Sequence, residues 1–191
     1  MAKLQHAFFV IMGPSGSGKT EVSGTVFPKS YKVVSHTTRP QRVGEIAGID
    51  YYFETADSFQ KLVTTQQLAE YDYYHGQWYG VGLQAIREHT QQHCAYSVLT
   101  FNGFKAVYQR FGEQVVPVFL DVSKANVLAR LKKRESEANI IAERLQLYDE
   151  EIKIKSELMK YPKALLIDAN PAFSQVTASL KSAVNQIEPL P

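Results

Sequence analysis

The sequence predicts an α/β fold in which helices cover both faces of a mainly parallel sheet, and three observations predict it. Apolar runs with the length of buried strands recur at 7–12, 94–101, 115–120 and 164–167. Between them the apolar residues fall at helical spacing, as at Val127, Leu128 and Leu131, and again at Phe173, Val176, Leu180, Val184 and Ile187. The first run leads straight into Gly13-Pro14-Ser15-Gly16-Ser17-Gly18-Lys19-Thr20, which matches G-x-x-x-x-G-K-[ST], the strand–loop–helix pattern of a phosphate-binding loop.

The residue types of that loop suit an anion. Its glycines let the backbone curl so that several N–H groups converge. Lys19 adds a positive charge for the β- and γ-phosphates of a nucleoside triphosphate, and Thr20 offers a hydroxyl to magnesium. The helix starting beyond Gly18 points its positive dipole end the same way. A Gly/Ser-rich turn is the bland alternative, but the strand context and the full pattern coincide.

Composition narrows the setting. A length of 191 residues suits one domain with small insertions, and 45% hydrophobic residues suffice for a core. A net charge of +2 is too mild to call for a nucleic-acid partner. The basic cluster from Arg130 to Arg134 fits a phosphate ligand. Cys94 is the only cysteine, so no intramolecular disulfide can form, and a buried thiol in a reducing cytoplasm is expected. No apolar run approaches the roughly 20 residues of a membrane span, and residues 1–6 carry no cleavage-site pattern.

The elements follow in order. Residues 19–26 are expected as helix, stopped by Phe27-Pro28 because proline cannot continue the ladder. Residues 31–34 read as a second strand. The segment 35–53 is rich in hydroxyls, has Arg39 and Arg42 three apart around Pro40, and ends in strand-like aromatic alternation. Two such arginines can fork onto one phosphate, although an exposed basic loop would look alike. A short helix is expected over 55–64, a strand over 68–75 and a helix over 81–89. Pro117 suggests that strand 115–120 lies at an edge or a bulge. Asp121 or Ser123 caps the next helix. A charged helix spans 140–160 and stops at Pro162. Asn170 caps the last helix, with Pro171 at its first position. His36, His75 and His93 show no metal-ligand spacing.

The segment 35–53 resembles the guanylate kinase family, whose stretch reads S-x-T-T-R-x-P-R-x-G-E-x-x-G-x-D-Y-x-F. The chain keeps Ser35, Thr37, Thr38, Arg39, Arg42, Gly44, Glu45, Gly48, Asp50, Tyr51 and Phe53; only the proline is displaced, to Pro40. The stretch from Glu70 to Gly80 is similar to the family's E-W-A-x-x-x-G-N-Y-Y-G. The resemblance implies that Ser35, Arg39, Arg42, Tyr51 and Tyr79 hold the phosphate of an acceptor nucleotide. It places Glu70 on the guanine edge, whose N1–H and N2–H₂ donors match two carboxylate oxygens. Tyr71, Tyr73 and Tyr74 are expected to be packing residues.

Two departures stand out. The family has Ser or Thr after the glycine, where this chain has Val81. The family's D-[IVL]-D-x-Q-G puts acids where Val98 and Thr100 stand, with Asn102 at the glutamine. Thr100 is therefore expected beside the base without supplying the second carboxylate. Glu45, Asp50 and Asp121 are the candidates for a substitute acid near magnesium.

Arg130, Arg134 and Arg144 resemble the family's lid arginines, which would neutralise charge on the transferring phosphoryl group. Asp168 stands where the family contacts adenine. The resemblance thus implies a three-layer α/β/α phosphate-loop core at 1–34, 91–123 and 149–191, a β-rich acceptor (NMP)-binding subdomain at 35–90 and a helical lid at 124–148. It implies an ATP- and Mg²⁺-dependent kinase of purine nucleotide metabolism, acting on GMP as a monomer or homodimer. A kinase for another monophosphate or a phosphorylated sugar, and a non-catalytic phospho-ligand module, are the alternatives.

Overall fold

The computed structural model describes residues 3–134 and 138–191. The strands are β1 (Phe8–Met12), β2 (Ser35–Thr37), β3 (Tyr51–Phe53), β4 (Leu68–Tyr74), β5 (Gln77–Gly82), β6 (Ala95–Val98), β7 (Val115–Asp121) and β8 (Leu165–Asp168). The helices are α1 (Lys19–Val26), α2 (Ala56–Thr64), α3 (Leu83–His89), α4 (Phe101–Phe111), α5 (Lys124–Arg134), α6 (Ala138–Glu151), α7 (Ile154–Leu158) and α8 (Phe173–Ile187). They form an α/β fold with two four-stranded sheets. One is parallel, in the order β6-β1-β7-β8. The other is mixed, in the order β3-β2-β5-β4.

The chain divides into two compact units, Met1–Phe9 with Ser30–Val115, and Val10–Lys29 with Val116–Pro191. In the first, β2 pairs parallel with β3 and antiparallel with β5, and β5 pairs antiparallel with β4. His75 and Gly76 join β4 to β5, both at positive φ, as a two-residue hairpin of this twist requires. Trp78 collects Phe59, Tyr71 and Tyr73 on the outer face. In the second unit Val127, Leu131, Leu158, Leu180 and Val184 are fully buried. The apolar stripes read as core therefore are core, although Phe173 at the stripe's start is 43% exposed.

Several local expectations are corrected. Residues 31–34 form no strand: Lys29–Tyr31 is a 3₁₀ turn, and only Lys32 bridges Tyr96. Val81 lies in β5, because it faces Glu70 and Ser35 in the ladder, and α3 starts at Leu83. Phe101 opens α4, since the Thr100 hydroxyl caps that helix by accepting from Gly103 N–H. β7 is internal rather than at an edge; its register with β8 starts at Val118, so Pro117 interrupts no rung to β8. The 140–160 helix is broken into α6 and α7. Asn170 does not cap α8, whose N-cap is Ala172; its side-chain oxygen accepts from Ser123 N–H and Asn126 at the start of α5. Ser123, not Asp121, caps α5, its hydroxyl accepting from Asn126 N–H. Cys94 is buried as expected. No helix among the described residues is long and apolar enough to cross a membrane.

Candidate active site

Two groups of residues have the chemistry of a site, one in each unit. In the second unit, β1 runs into the glycine loop and α1 leaves it at Lys19. Gly13, Gly16 and Gly18 all have positive φ. Gly13 is also sterically fixed, since a Cβ there would lie 2.7 Å from Leu120 O and 3.1 Å from Ser17 Oγ. Pro14 and Ser17 are buried, and Ser17 Oγ has no hydrogen-bond partner. An orphaned buried hydroxyl in a loop of converging amides fits an oxygen-rich ligand.

Lys19 Nζ donates to Gly13 O at 2.6 Å and Pro14 O at 3.0 Å. Burial holds its pKa below the ordinary lysine value, against the attraction of Glu151. Glu151, at the end of α6, accepts from Ser15 N–H at 2.8 Å. The loop thus already holds one anion, a carboxylate of its own chain. Nothing in the residue order points to this contact, because Glu151 lies 136 residues from Ser15.

Arg130 donates to Ser17 O at 3.2 Å and to Ala169 O at 2.6 Å. In this conformation the guanidinium clamps the loop to the end of β8. Arg144 is half-buried on α6. Arg134 ends α5, and its side chain lies outside the described residues. Asp168 is exposed at the end of β8 and accepts from Asn170 N–H and from its side chain. Thr20 is exposed in the first turn of α1.

In the first unit the mixed sheet brings together what the sequence scatters. Because side chains alternate along a strand, its register defines two rows on one face. Tyr51, Ser35, Val81 and Glu70 form one row across β3, β2, β5 and β4; Phe53, Thr37, Tyr79 and Asp72 form the next. Ser35, Thr37 and Glu70 are buried polar residues. Ser35 Oγ lies 3.2 Å from Ser97 Oγ, which donates to Val33 O. Sequence reading missed Ser97; its pairing with Ser35 comes from the parallel crossover, not from spacing.

The loop before β3 is held by Glu45. Arg39 donates to both of its oxygens, at 2.7 and 3.1 Å, and Arg42 N–H adds a third bond at 2.8 Å. Against the penalty of burial, these bonds hold the Glu45 carboxyl below its ordinary value. The Arg39 guanidinium also sits over the Tyr51 ring at 5.3 Å and the Phe53 ring at 5.9 Å. Tyr51 and Tyr79 rings lie 6.1 Å apart. Arg42 presents its side chain to solvent. A planar fork held over two rings beside an exposed second arginine can grip a phosphate.

Glu70 is 6% exposed. Burial, and then the charge of Asp72, push its carboxyl up to about 8, with Val81 N–H opposing. A Cβ on Gly103 would lie 2.5 Å from Glu70 Oε2, so the start of α4 closes directly over the carboxylate. Thr100, while capping α4, donates to Asp72 Oδ2 at 2.6 Å. Sequence reading also missed Asp72, although Glu70 and Asp72 stand two apart on an expected strand and so share a face.

The acids considered for magnesium are all engaged: Glu45 with Arg39, Asp50 with Ile46 N–H, and Asp121 with Lys155. Among the described residues no three His, Cys, Asp or Glu side chains cluster as a metal site. Magnesium keeps several waters and binds readily through substrate phosphates, so one threonine hydroxyl beside the loop suits it.

The guanylate kinase family model matches residues 5–187. A guanylate kinase of Geobacter sulfurreducens is 29% identical over 187 residues, which cover 95% of this chain and 89% of that protein. The crystal structure of guanylate kinase from Anaplasma phagocytophilum superposes with a TM-score of 0.73 at 22% identity, over 98% of this chain and 89% of that one. A gluconokinase from Sinorhizobium meliloti 1021 shares the fold at a TM-score of 0.56 and 12% identity, over 98% and 95%. With a phosphate loop in one unit and a carboxylate-and-arginine face in the other, and with the family match spanning nearly its whole length, this chain belongs to the guanylate kinase family.

Proposed function

We propose that the protein transfers the γ-phosphoryl group of ATP to the phosphate of GMP. The observation that carries this reading is the single sheet face that presents Ser35, Tyr51, Tyr79, Glu70 and Asp72 together, below the Arg39–Glu45 loop. Such a face offers a cation-rich end for a phosphate and a carboxylate end for a base edge made of donors. Guanine provides that edge through N1–H and N2–H₂.

In this reading Lys19 and the amides of residues 13–20 bind the ATP phosphates, with Ser17 Oγ among the donors. Lys19 exchanges Gly13 O and Pro14 O for phosphate oxygens, and Glu151 leaves Ser15 N–H to them. Magnesium, when bound, neutralises phosphate charge, and Thr20 is the residue that would hold it. Arg39, Arg42, Ser35, Tyr51 and Tyr79 fix the acceptor phosphate. Its oxygen is already anionic near neutral pH, so positioning and charge stabilisation suffice without a strong general base. Arg130, Arg134 and Arg144 supply positive charge along the 124–148 segment as the lid, and Asp168 takes the adenine side.

The test is ADP release from ATP and magnesium with GMP, dGMP, IMP, AMP, CMP, UMP and sugar phosphates as acceptors. Turnover with GMP is expected, and Lys19→Ala should lower kcat at least about a hundredfold with the fold intact. ATP binding without turnover of GMP would overturn the proposal. Turnover of a sugar phosphate alone would redirect it.

A further inference from the structure

Asp72 has a position that packing alone does not explain. It stands on β4 two residues from the buried Glu70 and on the same face, opposite Tyr79. Two acidic side chains on one side of a strand repel, and this repulsion helps keep Glu70 protonated. Yet Asp72 is held in place rather than turned to solvent. Thr100 donates to Oδ2 at 2.6 Å, Tyr73 N–H donates to Oδ1 at 3.0 Å, and Thr100 is itself fixed by capping α4 at Gly103 N–H. A carboxylate oxygen can accept two hydrogen bonds and each here is given one, so both keep acceptor capacity for a ligand donor. Val81, fully buried beside Glu70, has no hydroxyl with which to accept from a base.

We infer that Asp72, oriented by Thr100, is the second carboxylate of the acceptor site and determines specificity by accepting from the exocyclic 2-amino group of a guanine base beside Glu70. The inference rests on the proposed GMP reading. The contact of 2.6 Å shows why Asp72 and an acid at position 100 are alternatives: their carboxylates would compete for one place. The family pattern carries an acid at the position of Thr100 and an alanine at that of Asp72; this chain has threonine and aspartate there. The carboxylate is therefore supplied from the strand instead of from the helix cap. Loss of a hydrogen bond to a charged group corresponds to roughly 10- to 150-fold in discrimination.

The experiment compares kcat/KM for GMP and for IMP, which lacks the 2-amino group. For Asp72→Asn the GMP-over-IMP ratio should fall at least tenfold, with the loss in the KM for GMP. Asp72→Ala should lose the ratio too, and Asp72→Ala/Thr100→Asp should recover it, because aspartate also serves as an N-cap. Urea midpoints of the variants identify any loss that comes from folding. A ratio unchanged in Asp72→Asn, or no recovery in a folded double variant, overturns the role of Asp72 and leaves GMP phosphorylation standing. A wild-type protein inactive on GMP overturns both.

Discussion

Replacing Glu70 by glutamine should remove a pH dependence of stability that one buried carboxyl creates. The folded group titrates at about 8, against an ordinary value of 4.5 in the unfolded chain. Between those values the folded protein keeps a proton that the unfolded chain has released. The stability this carboxyl contributes is therefore fully present below about pH 4.5 and is lost as pH rises through 8. Each pH unit over which the two states differ by one proton changes stability by about 1.36 kcal/mol, so from roughly pH 5.5 to 8.5 the loss is about 3 kcal/mol. Glutamine has the shape of the neutral acid and no charge to desolvate. Urea unfolding of both proteins at the two pH values should show the stability of the glutamine variant relative to the wild type rising by about 3 kcal/mol from roughly pH 5.5 to pH 8.5. An equal difference at both pH values would refute the reasoning. The same titration predicts that GMP, whose donors require the carboxylate, displaces a proton on binding near pH 7. Calorimetry in buffers of different ionisation heat reads that proton directly.

Other substitutions separate the remaining roles. Glu151→Gln takes a charged acceptor off Ser15 N–H and an anion away from Lys19, so ATP should bind about fivefold more tightly in a fluorescence titration; weaker binding would show that Glu151 supports the loop rather than competing for it. Gly103→Ala should reverse the usual helix preference for alanine. Its Cβ would meet Glu70 Oε2 at 2.5 Å, so urea unfolding should show a loss of about 1–3 kcal/mol in place of a gain. Arg42→Ala removes an exposed guanidinium while its backbone bond to Glu45 remains, so the KM for GMP should rise about tenfold and that for ATP should hold. Unchanged GMP affinity would remove Arg42 from the acceptor site.

The phosphate loop, the burial of the strands around it and, in the first unit, β3, α2 and β4 are legible in residue order, whereas β2 and β5 are not expected as strands. Those properties are local: a glycine pattern, an apolar run and a period of two or 3.6 need no partner to be read. The same holds for the helix stripe of Val176, Leu180 and Val184. What failed at short range failed through competition from distant partners. Residues 31–34 have strand composition but find only one bridge, at Lys32. Asn170 has the chemistry of a cap, yet Ser123 N–H and Asn126 claim its oxygen. The grouping of Glu70, Asp72 and Thr100, by contrast, exists only once the chain is folded. Thr100 reads as a lost acid until α4 starts there and turns its hydroxyl onto Asp72. Glu151 is one charge among many in the 140–160 stretch until α6 delivers it to Ser15. A carboxylate's role depends on which donors the fold brings within about 3 Å of it, and no spacing along the chain encodes that distance.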